Sequence, residues 1–171
     1  MKKTLFLSAL IFLFSCNDGD LQIETIDFDS SSIDFCESTA TIGSTIFFKI
    51  NNDEALILEL QSGILANAAT ETDITSAVPG QSKVTYRIFS ENVTTNYFCD
   101  DIPPTLPAVV EEIEAEDGEV IITTVQNATD TTMFEHTIRL SGISFVNTTG
   151  ERITDLTISE FGTITTTEVV N

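Results

Sequence analysis

His136 is the only histidine in the chain and therefore the only imidazole available as a general base near neutral pH. A serine hydrolase also needs a nucleophile held beside that base, but no G-x-S-x-G turn occurs in the sequence. His136 alternates with Phe134 and Ile138, which is the pattern of a strand with one buried face. We therefore expect His136 to be a packed or edge-exposed strand residue, and we expect no catalytic residues and no enzymatic activity.

Acidic side chains are abundant, with 27 Asp and Glu residues in the chain. The groups that could supply oxygen ligands to Ca²⁺ are Asp27 with Asp29, Asp100 with Asp101, and Glu111 to Glu119. A Ca²⁺ ion takes about six to eight oxygen ligands, and the fixed spacing of an EF-hand loop occurs nowhere in the sequence. We expect a solvated acidic surface with no metal site and no cofactor, and a Ca²⁺ site is the alternative.

The N terminus has the layout of an export signal. Two lysines precede an apolar run from Leu5 to Phe14, which is too short to span a hydrocarbon core of about 30 Å. The sequence Leu13-Phe14-Ser15-Cys16 then resembles the lipobox of bacterial lipoproteins, except that Phe14 is larger than the family usually has there. The resemblance implies that residues 1–15 are a signal peptide and that Cys16 carries acyl chains after cleavage.

The three cysteines are an odd number, which needs an explanation in an exported protein. If Cys16 is acylated, Cys36 and Cys99 are left as a pair in an oxidising compartment, where disulfides persist. We predict a disulfide between them. The alternative is two buried thiols that pack as small apolar residues.

The charge of the mature chain limits its partners. Once Lys2 and Lys3 leave with the signal peptide, five basic residues stand against 27 acidic ones, a formal charge of −22. A field of that sign repels phosphate backbones, so we expect no nucleic-acid partner. Attachment to a membrane must then come from the N-terminal acyl chains, while a protein or glycan partner stays open.

Most of the mature sequence has the period of two that is typical of strands. The stretch from Thr45 to Leu60 alternates around Asn51-Asn52-Asp53-Glu54 and predicts a hairpin. Val84 to Ile88 alternates in the same way, and Asp117-Gly118 predicts a second hairpin turn before a β-branched run. Many short strands separated by turn residues predict an all-β, antiparallel β-sandwich, with an immunoglobulin-like arrangement as one candidate.

Two features modify this pattern. The buried parity of Phe134 to Phe145 flips at Ser141-Gly142, which predicts a bulge or kink at Gly142. Val109 to Ala115 and Ile64 to Thr72 are candidates for short helices, although neither shows a long helical period. Ile153 to Ile158 and Phe161 to Val169 are predicted to be the closing strands.

Two further resemblances concern the family and a modification. Tyr86-Arg87-Ile88-Phe89 and Phe98 to Pro104 resemble a family of small uncharacterised lipoproteins of flavobacterial (Bacteroidetes) type, which brings no known activity with it. Asp130-Thr131-Thr132 resembles the acceptor site for O-glycans in exported proteins of such bacteria, so Thr131 is a candidate O-glycan site. Its Thr-rich turn suits a transferase, because transferases need exposed chain.

The predicted organisation is a signal peptide (1–15), a lipidated Cys16 with a short acidic tether (16–22) and one β-sandwich domain (23–171). Acidic residues in such a tether resemble the signal that sends lipoproteins to the outer face of the outer membrane, and a plain solvated linker is the equal alternative. We expect a lipid anchor in the outer membrane, with the domain on its periplasmic or cell-surface face.

The function predicted from these features is a non-enzymatic interaction, adhesion or accessory module. The alternative is a lipoprotein that binds Ca²⁺ or a glycan as an accessory to an outer-membrane transporter. A concave pocket with converging carboxylates or exposed phenylalanines would favour this alternative.

Overall fold

The computed structural model describes residues 26–147, 150, 152–153 and 159–168; the predicted signal peptide, Cys16 and the tether lie outside them. The fold is 49% strand and 4% helix, which confirms the all-β prediction. The elements are β1 (Ile46–Asn51), β2 (Glu54–Glu59), β3 (Ile74–Ala77), β4 (Lys83–Phe89), α1 (Thr95–Cys99), β5 (Val109–Gln126), β6 (Met133–Val146), β7 (Arg152–Ile153) and β8 (Glu160–Thr167).

The predicted hairpin at the start of the domain is confirmed. β1 and β2 pair antiparallel from Ile46↔Glu59 to Asn51↔Glu54, and a two-residue turn joins them. Asn52 in that turn has φ 56°, a left-handed conformation that Asn tolerates better than most residues.

All strands pair antiparallel in one sheet of order β1-β2-β4-β5-β6-β7, with β3 beside β5 and β8 beside β6. The 18-residue β5 pairs with β4 through its first half and with β3 through its second half, while β6 follows it along most of its length. The sheet therefore curls into a half-barrel, and its two halves enclose the interior expected of a sandwich. The core includes Leu56, Leu58, Val84, Ile113, Val120, Ile122, Ile138, Phe145 and Phe161.

The prediction of a hairpin turn at Asp117-Gly118 is wrong, because β5 runs through it without reversing. Gly118 has φ 123° and lies where the β5–β6 register shifts, opposite Gly142 at φ 63°. A glycine with positive φ serves a bulge as well as a turn, and here it bends the long strand pair. The predicted bulge at Gly142 is confirmed.

The two predicted helices are also wrong. Val109–Ala115 belongs to β5, where Ile113 and Ala115 are buried and Glu112 and Glu114 are exposed. Ile64–Thr72 contains turns and bends instead. The acidic residues between buried positions follow strand alternation, and this short stretch is compatible with either period.

The helix found among the described residues, α1, was not predicted. Its five residues are too few to show a helical period in the sequence. A second apolar cluster holds it against the outer face of β1 and β4, where Phe48 stacks on Phe98 with ring centroids 4.4 Å apart and Phe89 meets Tyr97 edge-on. No helix in the described part of the chain has the length and apolar character needed to cross a bilayer.

Residues 26–35, the closing segment, fill the seam between the two sheet edges β1 and β8. Backbone bonds join Asp34 to Phe48 of β1, at N···O distances of 2.8 and 2.9 Å. On the other side Ile33 packs so closely on Gly162 of β8 that a Cβ there would lie 3.2 Å from it. Ile26 and Phe28 are almost fully buried. The segment thus completes the interior that the half-barrel leaves open.

Candidate functional site

The predicted Cys36–Cys99 disulfide is confirmed, with Cα atoms 5.1 Å apart and a sequence separation of 63. Cys36 follows the closing segment in an exposed bend, and Cys99 is the last residue of α1. The bond therefore ties the closing segment to the helix packed on the outer face of the sheet.

His136 is fully buried on β6, between β5 and β8, and the prediction of a packed strand histidine is confirmed. Its Nδ1 lies 2.8 Å from the Thr124 hydroxyl and its Nε2 lies 2.8 Å from the Thr166 hydroxyl. The Thr166 hydroxyl donates its single proton to Asn67 at 2.6 Å, so Nε2 of His136 must be the donor in its own bond. Thr124 then donates to Nδ1.

This network makes His136 a neutral structural group. Burial lowers the pKa of the imidazole below its ordinary value, since the charged form would lose its hydration. Both ring nitrogens are already bonded to threonines of neighbouring strands, and no surface of the ring reaches solvent. A substrate has no access to it.

The acidic groups singled out in the sequence do not converge. Among the residues the structure describes, no three His, Cys, Asp or Glu side chains lie close enough together to hold a metal ion. The Glu111–Glu119 group is spread along β5, where Glu112 accepts a hydrogen bond from Nε of Arg87 at 2.7 Å. These carboxylates are therefore spread over the surface of β5.

A groove of about 600 Å³ opens at the seam between the closing segment, β1 and the start of β8. Its polar lining comes from all three elements: Asp29, Ser31, Ser32, Lys49, Ser159, Glu160 and Thr163. The groove lies where the closing segment contacts both β1 and β8. Residues far apart in the sequence are thereby brought to one surface.

Lys49 is the unusual residue of this groove. It alternates with Phe48 and so shares the inner face of β1 with Phe47, and only 5% of its surface is exposed. Among the described residues no carboxylate lies within 4.0 Å of its ammonium group, and the nitrogen is not one of the side-chain atoms buried without a partner. Burial lowers the pKa of Lys49, and the more distant carboxylates of Asp29, Glu160 and Asp27 oppose that shift only in part.

The turn between β5 and β6 carries the candidate O-glycan site. The Asp130 carboxylate accepts hydrogen bonds from the Thr132 hydroxyl at 2.6 Å and from the Thr132 backbone amide at 3.0 Å. Both bonds lower the pKa of Asp130, and the bond from the hydroxyl has the larger effect. Thr131 is exposed and its carbonyl accepts a bond from Gln126 at 2.6 Å. The turn thus fixes the backbone around an exposed Thr131.

We expect Thr131 to carry an O-glycan in the native host. Glycopeptide mass spectrometry of exported protein should place the sugar on Thr131, and Thr131→Ala should abolish it. Thr132→Ala is the matched control, because the acceptor pattern tolerates a small third residue. Finding Thr131 bare in fully exported protein would remove this prediction.

Comparisons with protein-family models, curated proteins and solved structures gave no match to this chain. The resemblance to flavobacterial lipoproteins therefore stays a prediction. Any function has to be argued from the geometry of the described residues.

Proposed function

We propose that this chain is an exported lipoprotein, anchored in the outer membrane through acyl chains on Cys16, with a non-enzymatic β-domain that acts as an interaction or accessory module. The observation that carries the proposal is the Cys36–Cys99 disulfide. It supports export, because disulfides persist in oxidising compartments. It also accounts for two of the three cysteines and leaves Cys16 as the unexplained one.

The position of the domain relative to the membrane follows from the chain length. The described structure begins at Ile26, ten residues after Cys16. Ten residues reach at most about 35 Å when fully extended. An acylated Cys16 would therefore keep the closing segment and the seam groove close to the lipid surface.

The environment of His136 supports the non-enzymatic part of the proposal. The chain has no second imidazole, and this one is enclosed between β5 and β8 with both nitrogens bonded to threonine hydroxyls. A general base must come within hydrogen-bond reach of the proton that it removes from a substrate. His136 holds three strands together instead.

The seam groove favours the second candidate function, a ligand-binding accessory of an outer-membrane transporter. The groove is concave and carries Asp29 and Glu160 together with a buried lysine. A cation in its wall suits an organic ligand better than Ca²⁺, and the described residues offer no cluster of three carboxylates. Under this second candidate function, the ligand is a small polar molecule.

The lipid anchor can be tested on the mature N terminus. We expect mass spectrometry to find Met1 to Ser15 removed and Cys16 acylated, with the protein in the membrane fraction. Cys16→Ser should move the protein to the soluble fraction with its disulfide intact, while the neighbouring substitution Asn17→Ser should leave it membrane-bound. An unmodified Cys16, or a mature terminus elsewhere, would contradict the proposal.

A further inference from the structure

The Lys49 side chain lines the seam groove, and among the described residues no carboxylate lies in contact with its ammonium group. A lysine can bury its aliphatic stem while its charged end stays in contact with solvent, where it can pair with a charged ligand. The two ion pairs found among the described residues use Arg87 and Arg139, so Lys49 takes part in neither.

The carboxylates whose charge acts on Lys49 are not in contact with its ammonium group. Asp29 and Glu160 both line the same groove and both act on Lys49 through their charge, yet neither lies within 4.0 Å of its ammonium group. The groove between them is therefore open to a ligand that accepts from the lysine on one side and donates to the carboxylates on the other.

We propose that the seam groove binds a small zwitterion of the amino-acid or short-peptide type, with the ligand carboxylate against Lys49 and the ligand ammonium toward Asp29 and Glu160. Net charge favours this class over a simple anion. The groove brings two negative groups for one positive group, and the whole chain has a formal charge of −20, so a ligand without a positive group is repelled. The exposed hydroxyls of Ser32 and Ser159 add hydrogen-bonding partners at the rim.

The site does not depend on the lipid anchor, and its test can be run on the mature chain carrying Cys16→Ser. The probe is triglycine, followed through backbone amide shifts by NMR. Two analogues each lack one charge: N-acetyl-triglycine has no ammonium, and triglycine amide has no carboxylate. We expect saturable shifts around the groove with triglycine, and binding weaker by about tenfold or more with either analogue.

Two lysine variants locate the binding. Lys49→Met should weaken triglycine binding by about tenfold or more, since the loss of one charge pair of this kind is worth a factor of that order. Lys83→Met is the matched control, because Lys83 is the only other lysine of the mature chain and lies exposed on β4, and it should leave binding unchanged.

The exposed Glu160 keeps the test decisive if Lys49→Met fails to fold. Glu160→Gln should weaken triglycine but should not weaken N-acetyl-triglycine, which has no ammonium for Glu160 to pair with. No saturable shift with triglycine, or equal binding of triglycine and N-acetyl-triglycine, would overturn the proposal. Binding that is the same in Lys49→Met and Lys83→Met would overturn it as well.

Discussion

Removing the disulfide with Cys36→Ser/Cys99→Ser is expected to lower the free energy of unfolding by about 4 kcal/mol. The two cysteines are 63 residues apart, and in the chain-entropy model a cross-link of that span restricts the unfolded chain by about this amount. A typical domain has only about 5–15 kcal/mol in total, so the variant should be marginally stable. Urea unfolding without reductant, compared with the intact protein, measures the difference.

Two controls separate the cross-link from the side chains. Reductant should bring the intact protein to the stability of the double variant, while Cys16→Ser should unfold like the intact protein in the absence of reductant. A loss below about 1 kcal/mol, or two titratable thiols in the unfolded and unreduced chain, would show that the bond does not have this role.

Gly118→Ala is expected to lower the free energy of unfolding by about 4 kcal/mol, as much as the loss of the disulfide. Backbone strain in this region of φ costs about 1–3 kcal/mol, and overpacking costs about 1–3 kcal/mol more. Gly118 has φ 123°, and a Cβ there would lie 2.8 Å from Cδ1 and 2.9 Å from Cα of Ile143. Backbone atoms of β6 cannot give way without disturbing the bend itself.

Two other glycines divide this cost into its parts. Gly63 has φ 77° but open space around its Cβ position, so Gly63→Ala should show the strain alone, about 1 kcal/mol. Gly80 has open space and no left-handed φ, so Gly80→Ala should be neutral or slightly stabilising. If thermal unfolding placed Gly118→Ala level with Gly63→Ala, the close contact with Ile143 would be irrelevant to stability.

The sequence predicted the strands well wherever one face is buried, because alternation is a local property of the chain. Phe134, His136 and Ile138 are all buried on β6, as their shared parity required. The flip of parity at Gly142 also predicted a real bulge. At Gly118 the local signal failed, because a turn and a bulge both use a glycine with positive φ, and only the pairing partner distinguishes them.

The sequence likewise predicted one part of the candidate site and missed another. Cysteine number and compartment predicted the Cys36–Cys99 bond without any geometry. The groove was not predicted, since Asp29, Lys49 and Glu160 come from three separate parts of the chain and meet only where the sheet edges close. The available signal was a lysine on the same parity as Phe47, directly after three apolar residues of the same strand.

The position of the disulfide also sets a load path through the domain. A pull on the N terminus reaches the closing segment first and loads the two backbone hydrogen bonds between Asp34 and Phe48. Peeling then stops at Cys36, because the covalent bond passes the tension to Cys99 and on toward β5. The intervening chain, which holds β1 to β4, is bypassed. A domain held by its N terminus against flow would open its seam under modest tension while β1 to β4 stayed mechanically shielded.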